Sequence, residues 1–142
     1  MKTVRELMTT NLLTLRDTDS VARARALMAE HHIRHIPILD QAKQFVGLLS
    51  QRDVLASTVS ILAEVDAEEV DALEASIPIR EVMSTHVTVV DEDTELRAAA
   101  QAMLDHRYGC LPVVSGANLV GIITETDFLI LAIRLLDRAS SS

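Results

Sequence analysis

The chain carries one passage twice, and that repetition constrains its fold more than any other feature. Residues 4–9 read VRELMT and residues 79–84 read IREVMS, 75 positions later. Thr14-Leu15 answers Thr88-Val89, Met28 answers Met103, and His35-Ile36-Pro37-Ile38 answers Cys110-Leu111-Pro112-Val113. VGLLSQRDVL (46–55) then matches VGIITETDFL (120–129) at an offset of 74. A passage of roughly 50 residues that keeps its glycine, proline and aspartate in step implies two equivalent supersecondary units. Two copies are too few for a solenoid. They suit a closed pseudo-twofold pair, which offers two related clefts.

The first copy reads as a helical turn over RELM (5–8), a brief strand at 12–15, and a helix capped by Asp19 or Ser20 that runs to about His31. Strands at 36–39 and 45–49 flank a turn at 40–43, and a further helix starts after Ser50. The second copy predicts a strand at 87–90, a helix over about 94–106, strands at 110–114 and 119–123, and a helix from 125. The fold class is therefore α+β (mixed α/β), two β-α-β-β-α repeats with pseudo-twofold symmetry. The turn around Ser115–Asn118 is one residue shorter than its counterpart, and a loop absorbs such a deletion at least cost.

The expected organisation is repeat 1 over 1–57, an acidic helical connector over 58–78, repeat 2 over 79–138 and a disordered tail at 139–142. In the connector, Leu62, Val65, Val70 and Leu73 would line one face, with Glu64, Asp66, Glu68, Glu69, Asp71 and Glu74 mostly solvated and Ile77-Pro78 ending the helix. The last helix carries Phe128, Leu129, Ile130, Leu131, Ile133, Leu135 and Leu136 on nearly every side, which predicts burial against a second subunit in a homodimer.

With no tryptophan, one tyrosine and two phenylalanines, the core must be aliphatic. The longest apolar run, FLILAI (128–133), is too short to cross a bilayer, and no secretory signal segment opens the chain. The single cysteine forms no internal disulfide, so a reducing, cytoplasmic setting without membrane attachment is expected. Residues 1–55 carry eight basic and six acidic side chains, 56–78 carry six acidic and no basic, and 79–142 carry five basic and nine acidic. A chain of net charge −8 with no basic stripe is a poor reader of nucleic acid, whose affinity comes largely from phosphate neutralisation.

The most chemically suggestive feature is Ser50-x-x-Asp53 and its echo Thr124-x-x-Asp127, each closing a strand and opening a helix. A hydroxyl residue with an acid three positions on is a capping box, which needs no ligand. The same place also offers backbone amides and a positive dipole end to phosphate. A carboxylate fixed there accepts two hydrogen bonds from a cis-diol such as a ribose. Capping and binding are compatible.

These motifs resemble a tandem pair of cystathionine-β-synthase (CBS) domains, a Bateman module. The resemblance runs from Val4 to Leu129, on the RExM openings, IRHIPI and GCLPVV, and above all VGLLSQRD and VGIITETD. It implies sheets packed between the copies, dimerisation as a flat disc, and adenosine-containing ligands (AMP, ADP, ATP or S-adenosylmethionine, sometimes NAD) in clefts between the copies. Carried over by position, Asp53 and Asp127 would hold ribose hydroxyls, with Ser50 and Thr124 at the ribose-phosphate junction. Ile36, Pro37, Leu111 and Pro112, with Thr14, Leu15, Thr88 and Val89, match positions that help enclose the base, though core packing explains them equally well. Arg34 and Arg52 offer guanidinium groups to phosphate in the first copy, where the second has Gly109 and Thr126 with Glu125 alongside. The more highly phosphorylated ligand is expected at Ser50/Asp53.

No cofactor is required on this reading, and the output must go to an effector protein of unknown identity. Metal binding is not expected: His31, His32 and His35 cluster, but neither they nor His86 and His106 show zinc-type spacing. Neither is catalysis. The aspartates lack a base, metal or oxyanion donor, no Gly-rich phosphate loop occurs, and Cys110 sits at a strand position that reads as packing. The competing possibility is a non-enzymatic interaction or scaffold module with empty clefts.

Overall fold

A computed structural model describes residues 2–141. Two compact units are present, one of residues 13–87 and one combining residues 1–12 with 88–142. They cut across the copies as written in the sequence: the opening of each copy belongs to the unit built from the other.

In the 13–87 unit, strand β1 (Leu15–Arg16) leads to helix α1 (Val21–His31), strands β2 (His35–Leu39) and β3 (Phe45–Ser50), helix α2 (Gln51–Leu62) and helix α3 (Ala67–Ser76). β1 pairs parallel with β2, and β2 antiparallel with β3. The Ser20 side chain caps α1 by accepting the Arg23 N–H, and His32 in the left-handed conformation ends it. Spacing of Val21, Ala24 and Met28 puts one apolar stripe on the sheet, where it meets Leu15, Ile36, Ile38, Leu49 and Val54. Pro37, mid-strand and without an N–H, is tolerated because β1 pairs only with Ile38 and Leu39.

The other unit repeats this plan with helix α4 (Leu96–His106), strands β4 (Cys110–Ser115) and β5 (Asn118–Thr124) and helix α5 (Glu125–Ser141). Its core joins Val4, Leu96, Ala99, Met103, Leu111, Val113 and Ile123. Where a strand was expected at 87–90 there is a single parallel bridge, Val90 to Val113. That bridge corrects the internal alignment. Leu15 pairs with Ile38 and Val90 with Val113, so Leu15 corresponds to Val90 and the offset is 75 throughout this region. Val89, matched to Leu15 by sequence, is 39% exposed where Leu15 is 6%.

Two short openings complete the units. The 3-10 turn Val4–Glu6 enters the second core through the fully buried Val4, and Thr9 exchanges backbone hydrogen bonds with Ile122 at 2.8 and 3.0 Å. The 3-10 turn Ile79–Glu81 enters the first core through Ile79, and Ser84 exchanges bonds of 3.0 and 2.9 Å with Leu48. Glycine makes this approach possible. A Cβ on Gly47 would stand 2.8 Å from the Ser84 carbonyl oxygen, and one on Gly121 3.1 Å from that of Thr9.

The connector differs from its sequence reading. α2 stops at Leu62, and α3 begins after Asp66. Leu62 and Leu73 are exposed, and Val70 is the buried apolar residue of α3. Glu74, grouped by sequence with the solvated acids, is 1% exposed because it shares the Val70 face and meets Arg25 of α1 at 2.6 Å. Neither Glu74 oxygen makes a well-directed hydrogen bond, while Arg25 also donates to Thr58 of α2. At the other end, α5 continues through 139–141, where a tail was expected, since no glycine or proline follows Gly121 to stop it; Ser142 lies outside the described residues.

Arg25 therefore neutralises a buried carboxylate, and removing it leaves that charge alone. Arg25→Ala is expected to lower unfolding stability by about 2–3 kcal/mol, toward the low side of a broken buried pair because the guanidinium is 40% exposed. Arg25→Leu with Glu74→Leu should recover most of the loss in urea denaturation.

Candidate functional site

Each unit contains one strand-to-helix handover built in the same way. In the 13–87 unit, Ser50 ends β3 opposite His35 and caps α2. Its hydroxyl accepts the Asp53 N–H at 3.0 Å, and Asp53 Oδ2 accepts the Ser50 N–H at 3.0 Å. The Gln51 N–H donates to the Arg34 carbonyl at 2.7 Å, which fixes the start of β2 against the start of α2. In the other unit, Asp127 Oδ2 accepts from the Thr124 N–H at 2.9 Å and the Thr124 hydroxyl at 3.2 Å, and Thr124 Oγ1 accepts the Asp127 N–H at 3.2 Å. The Glu125 N–H donates to the Gly109 carbonyl at 3.2 Å. The first and third amides of each helix are thus already engaged. A phosphate would find fewer amides free than a bare helix start offers.

Both aspartates are half-buried, held by their caps but within reach of solvent. Arg34 and Arg52 are exposed and make no ion pair among the described residues. Leu15, Ile36, Pro37, Leu111 and Pro112 are buried, and the side chains of Leu15, Ile36 and Leu111 are spent on the two cores. Thr14 is half-buried, whereas Thr88 and Val89 are exposed. Thr88 donates its hydroxyl to the Tyr108 phenol oxygen at 3.0 Å, and Tyr108 stacks on His106 with ring centres 5.2 Å apart.

Two residues join this picture that the motifs did not single out. One is Tyr108. The other is Thr9, whose hydroxyl donates to Asp127 Oδ1 at 3.1 Å. Its sequence signal was a hydroxyl kept in step, Thr9 against Ser84, in the repeated opening.

Cys110 lines up beside Thr124 in the β4–β5 pair and is buried. Burial, with the Glu125 carboxylate nearby, pushes its thiol from 9.0 up to about 12. A thiol that stays protonated at neutral pH is a poor nucleophile. Among the described residues, no group of three or more His, Cys, Asp or Glu is placed to hold a metal, and no helix is long and apolar enough to cross a membrane.

The CBS domain family model matches this chain twice, at residues 4–59 and 79–133, and the chain belongs to that family. Its structure is similar to that of a Vibrio cholerae protein that carries a provisional acetoin-utilization name, AcuB, with 41% identity, a TM-score of 0.82 and coverage of 100% of this chain and 98% of that one. It is also similar to CBSX2 in complex with AMP, at 27% identity and a TM-score of 0.79 over 95% of this chain and 98% of the other. A third likeness is to the CBS domain pair of protein MJ0100 in complex with 5′-methylthioadenosine and S-adenosyl-L-methionine, at 25% identity and a TM-score of 0.72 over 91% and 94%. The chain spans 31% of an uncharacterized Methanocaldococcus jannaschii relative, to which it is 30% identical, and 85% of the Bacillus subtilis protein YhcV, to which it is 29% identical.

Since the folded thiol keeps its proton to about pH 12 while an unfolded one loses it near 9.0, the native state binds more protons in between. Stability is complete below that window and falls as pH rises through it, by up to about 1.4 kcal/mol per pH unit. Urea midpoints at pH 7.5, 9 and 10 should show this slope, and Cys110→Ala should flatten it.

Proposed function

We propose that this chain is a regulatory module that binds adenosine-containing ligands and reports their presence to a separate protein. Its ligands would be AMP, ADP, ATP or S-adenosylmethionine. The observation that carries this reading is a carboxylate clamped by a reciprocal cap at the same place in both units, with Asp53 Oδ1 facing no donor among the described residues. A ribose presents two adjacent hydroxyls, the donors such an acceptor lacks. Two similar structures, matched over nearly their full lengths, hold AMP and S-adenosyl-L-methionine, which supports the same ligand class here.

In this reading Ser50/Asp53 and Thr124/Asp127 hold ribose, and Arg34 and Arg52 turn toward phosphate at the first site. Backbone around Thr14–Leu15, Ile36–Pro37, Thr88–Val89 and Leu111–Pro112 borders the base. Binding acts by population shift, favouring whichever arrangement of the chain grips the ligand better, without turnover. The ligand is therefore an input and not a substrate.

A homodimer fits this proposal. α5 leaves Leu129, Ile133 and Leu136 exposed at 64%, 58% and 66%, an i, i+4, i+7 stripe. The same stripe recurs on α2 as Leu55, Val59 and Leu62 at 62%, 60% and 48%. Apolar surface of this kind is covered most simply by a second copy of the chain.

AMP or S-adenosylmethionine at 100 times its dissociation constant should stabilise the native state by about 2.7 kcal/mol. That corresponds to a melting shift on the order of 5–10 °C in a thermal-shift assay, and no shift with any adenosine compound would remove the sensor reading. Light scattering on the eluted protein should give twice the chain mass, falling to the single-chain value for Leu129→Glu with Ile133→Glu. A monomeric unmodified chain would rule the dimer out.

A further inference from the structure

Asp53 and Asp127 stand at equivalent places, yet their hydrogen-bonding capacity is spent differently. A carboxylate offers about four acceptor positions over its two oxygens. Among the described residues, Asp53 has one filled, by the Ser50 N–H on Oδ2. Asp127 has three filled: Thr124 places its N–H and its hydroxyl on Oδ2, and Thr9 places a hydroxyl on Oδ1. A vicinal diol needs two vacant positions. Asp53 has them, and Asp127 does not unless a donor is displaced.

The difference traces to one side chain in the repeated opening. Thr9 and Ser84 stand 75 residues apart and make matching backbone pairs with Ile122 and Leu48. The Thr9 hydroxyl reaches its aspartate, while Ser84 makes no side-chain bond to Asp53 among the described residues. Thr9 is exposed and anchored through its backbone, so its hydroxyl can let go without undocking the segment.

We infer that Thr9 restrains the Asp127 site, so that adenosine ligands occupy Asp53 first and Asp127 only at higher concentration. This rests on the adenosine-binding reading above and adds an order to it. Charge works in the same direction, since Arg34 and Arg52 flank the first site where the second has Gly109, Thr126 and the acidic Glu125. The chain then responds to ligand with two thresholds. Thr9 is a positioning residue, competing with the ligand for the carboxylate it must reach.

Calorimetric titration with AMP tests this by isolating each site. Asp53→Ala leaves the Asp127 site to report, and Asp127→Ala leaves the Asp53 site. The Asp53→Ala chain is expected to bind AMP more weakly than the Asp127→Ala chain. Adding Thr9→Val, which keeps the side-chain shape and the backbone bonds, should tighten binding in the Asp53→Ala chain about threefold to tenfold, the range of one released hydrogen bond. It should leave binding in the Asp127→Ala chain unchanged, which guards against a general effect of the substitution. Equal affinities at the two sites, or no tightening by Thr9→Val, would overturn the inference while leaving the sensor reading intact. An unmodified chain that binds no AMP, or AMP binding indifferent to both aspartates, would overturn the reading and the inference with it.

Discussion

The strand-to-helix cap is the interaction on which the rest depends. In each unit a hydroxyl residue and an aspartate three positions later satisfy each other's backbone amides, and the next amide along ties the helix start to the residue before the neighbouring strand. One small cluster of bonds therefore sets where the helix begins, how the hairpin is registered beneath it, and where the carboxylate points. A group so placed is pre-organised for a ligand at no further conformational cost. The fold needs the aspartate for its own reasons, and the proposed ligand site would use a group the fold has already fixed.

Most of the element plan was legible from the sequence. Periodicity marked α1 and α4, short apolar runs on either side of a turn marked the hairpins, and the paired caps marked the starts of α2 and α5. Three features were not. The exchange of openings leaves no trace in a duplicated sequence, because VRELMT and IREVMS keep the same order of charged, apolar and hydroxyl residues and either could dock on either sheet. The match of Thr14-Leu15 to Thr88-Val89 was led astray by a coincident threonine; hydrogen bonding, which placed Leu15 on Ile38 and Val90 on Val113, resolved it. Glu74 looked solvated because its neighbours are acidic, and its burial depends on Arg25, about fifty residues earlier.

The site was legible in part. Ser50, Asp53, Thr124 and Asp127 could be read from spacing, since a cap is local chemistry. The apolar positions were ambiguous between ligand and core, and Leu15, Ile36 and Leu111 prove to be core. The contrast between the two aspartates could not be read at all. It turns on the Thr9 hydroxyl, 118 residues away from its acceptor, and only the folded chain brings them together.

The exchanged openings carry a consequence for any division of the chain. Neither half, cut where its sequence copy starts and ends, contains the segment that finishes its own sheet; each would lack the valine or isoleucine plug that the other half supplies. Melting either half therefore withdraws a buried plug from the core built around the other.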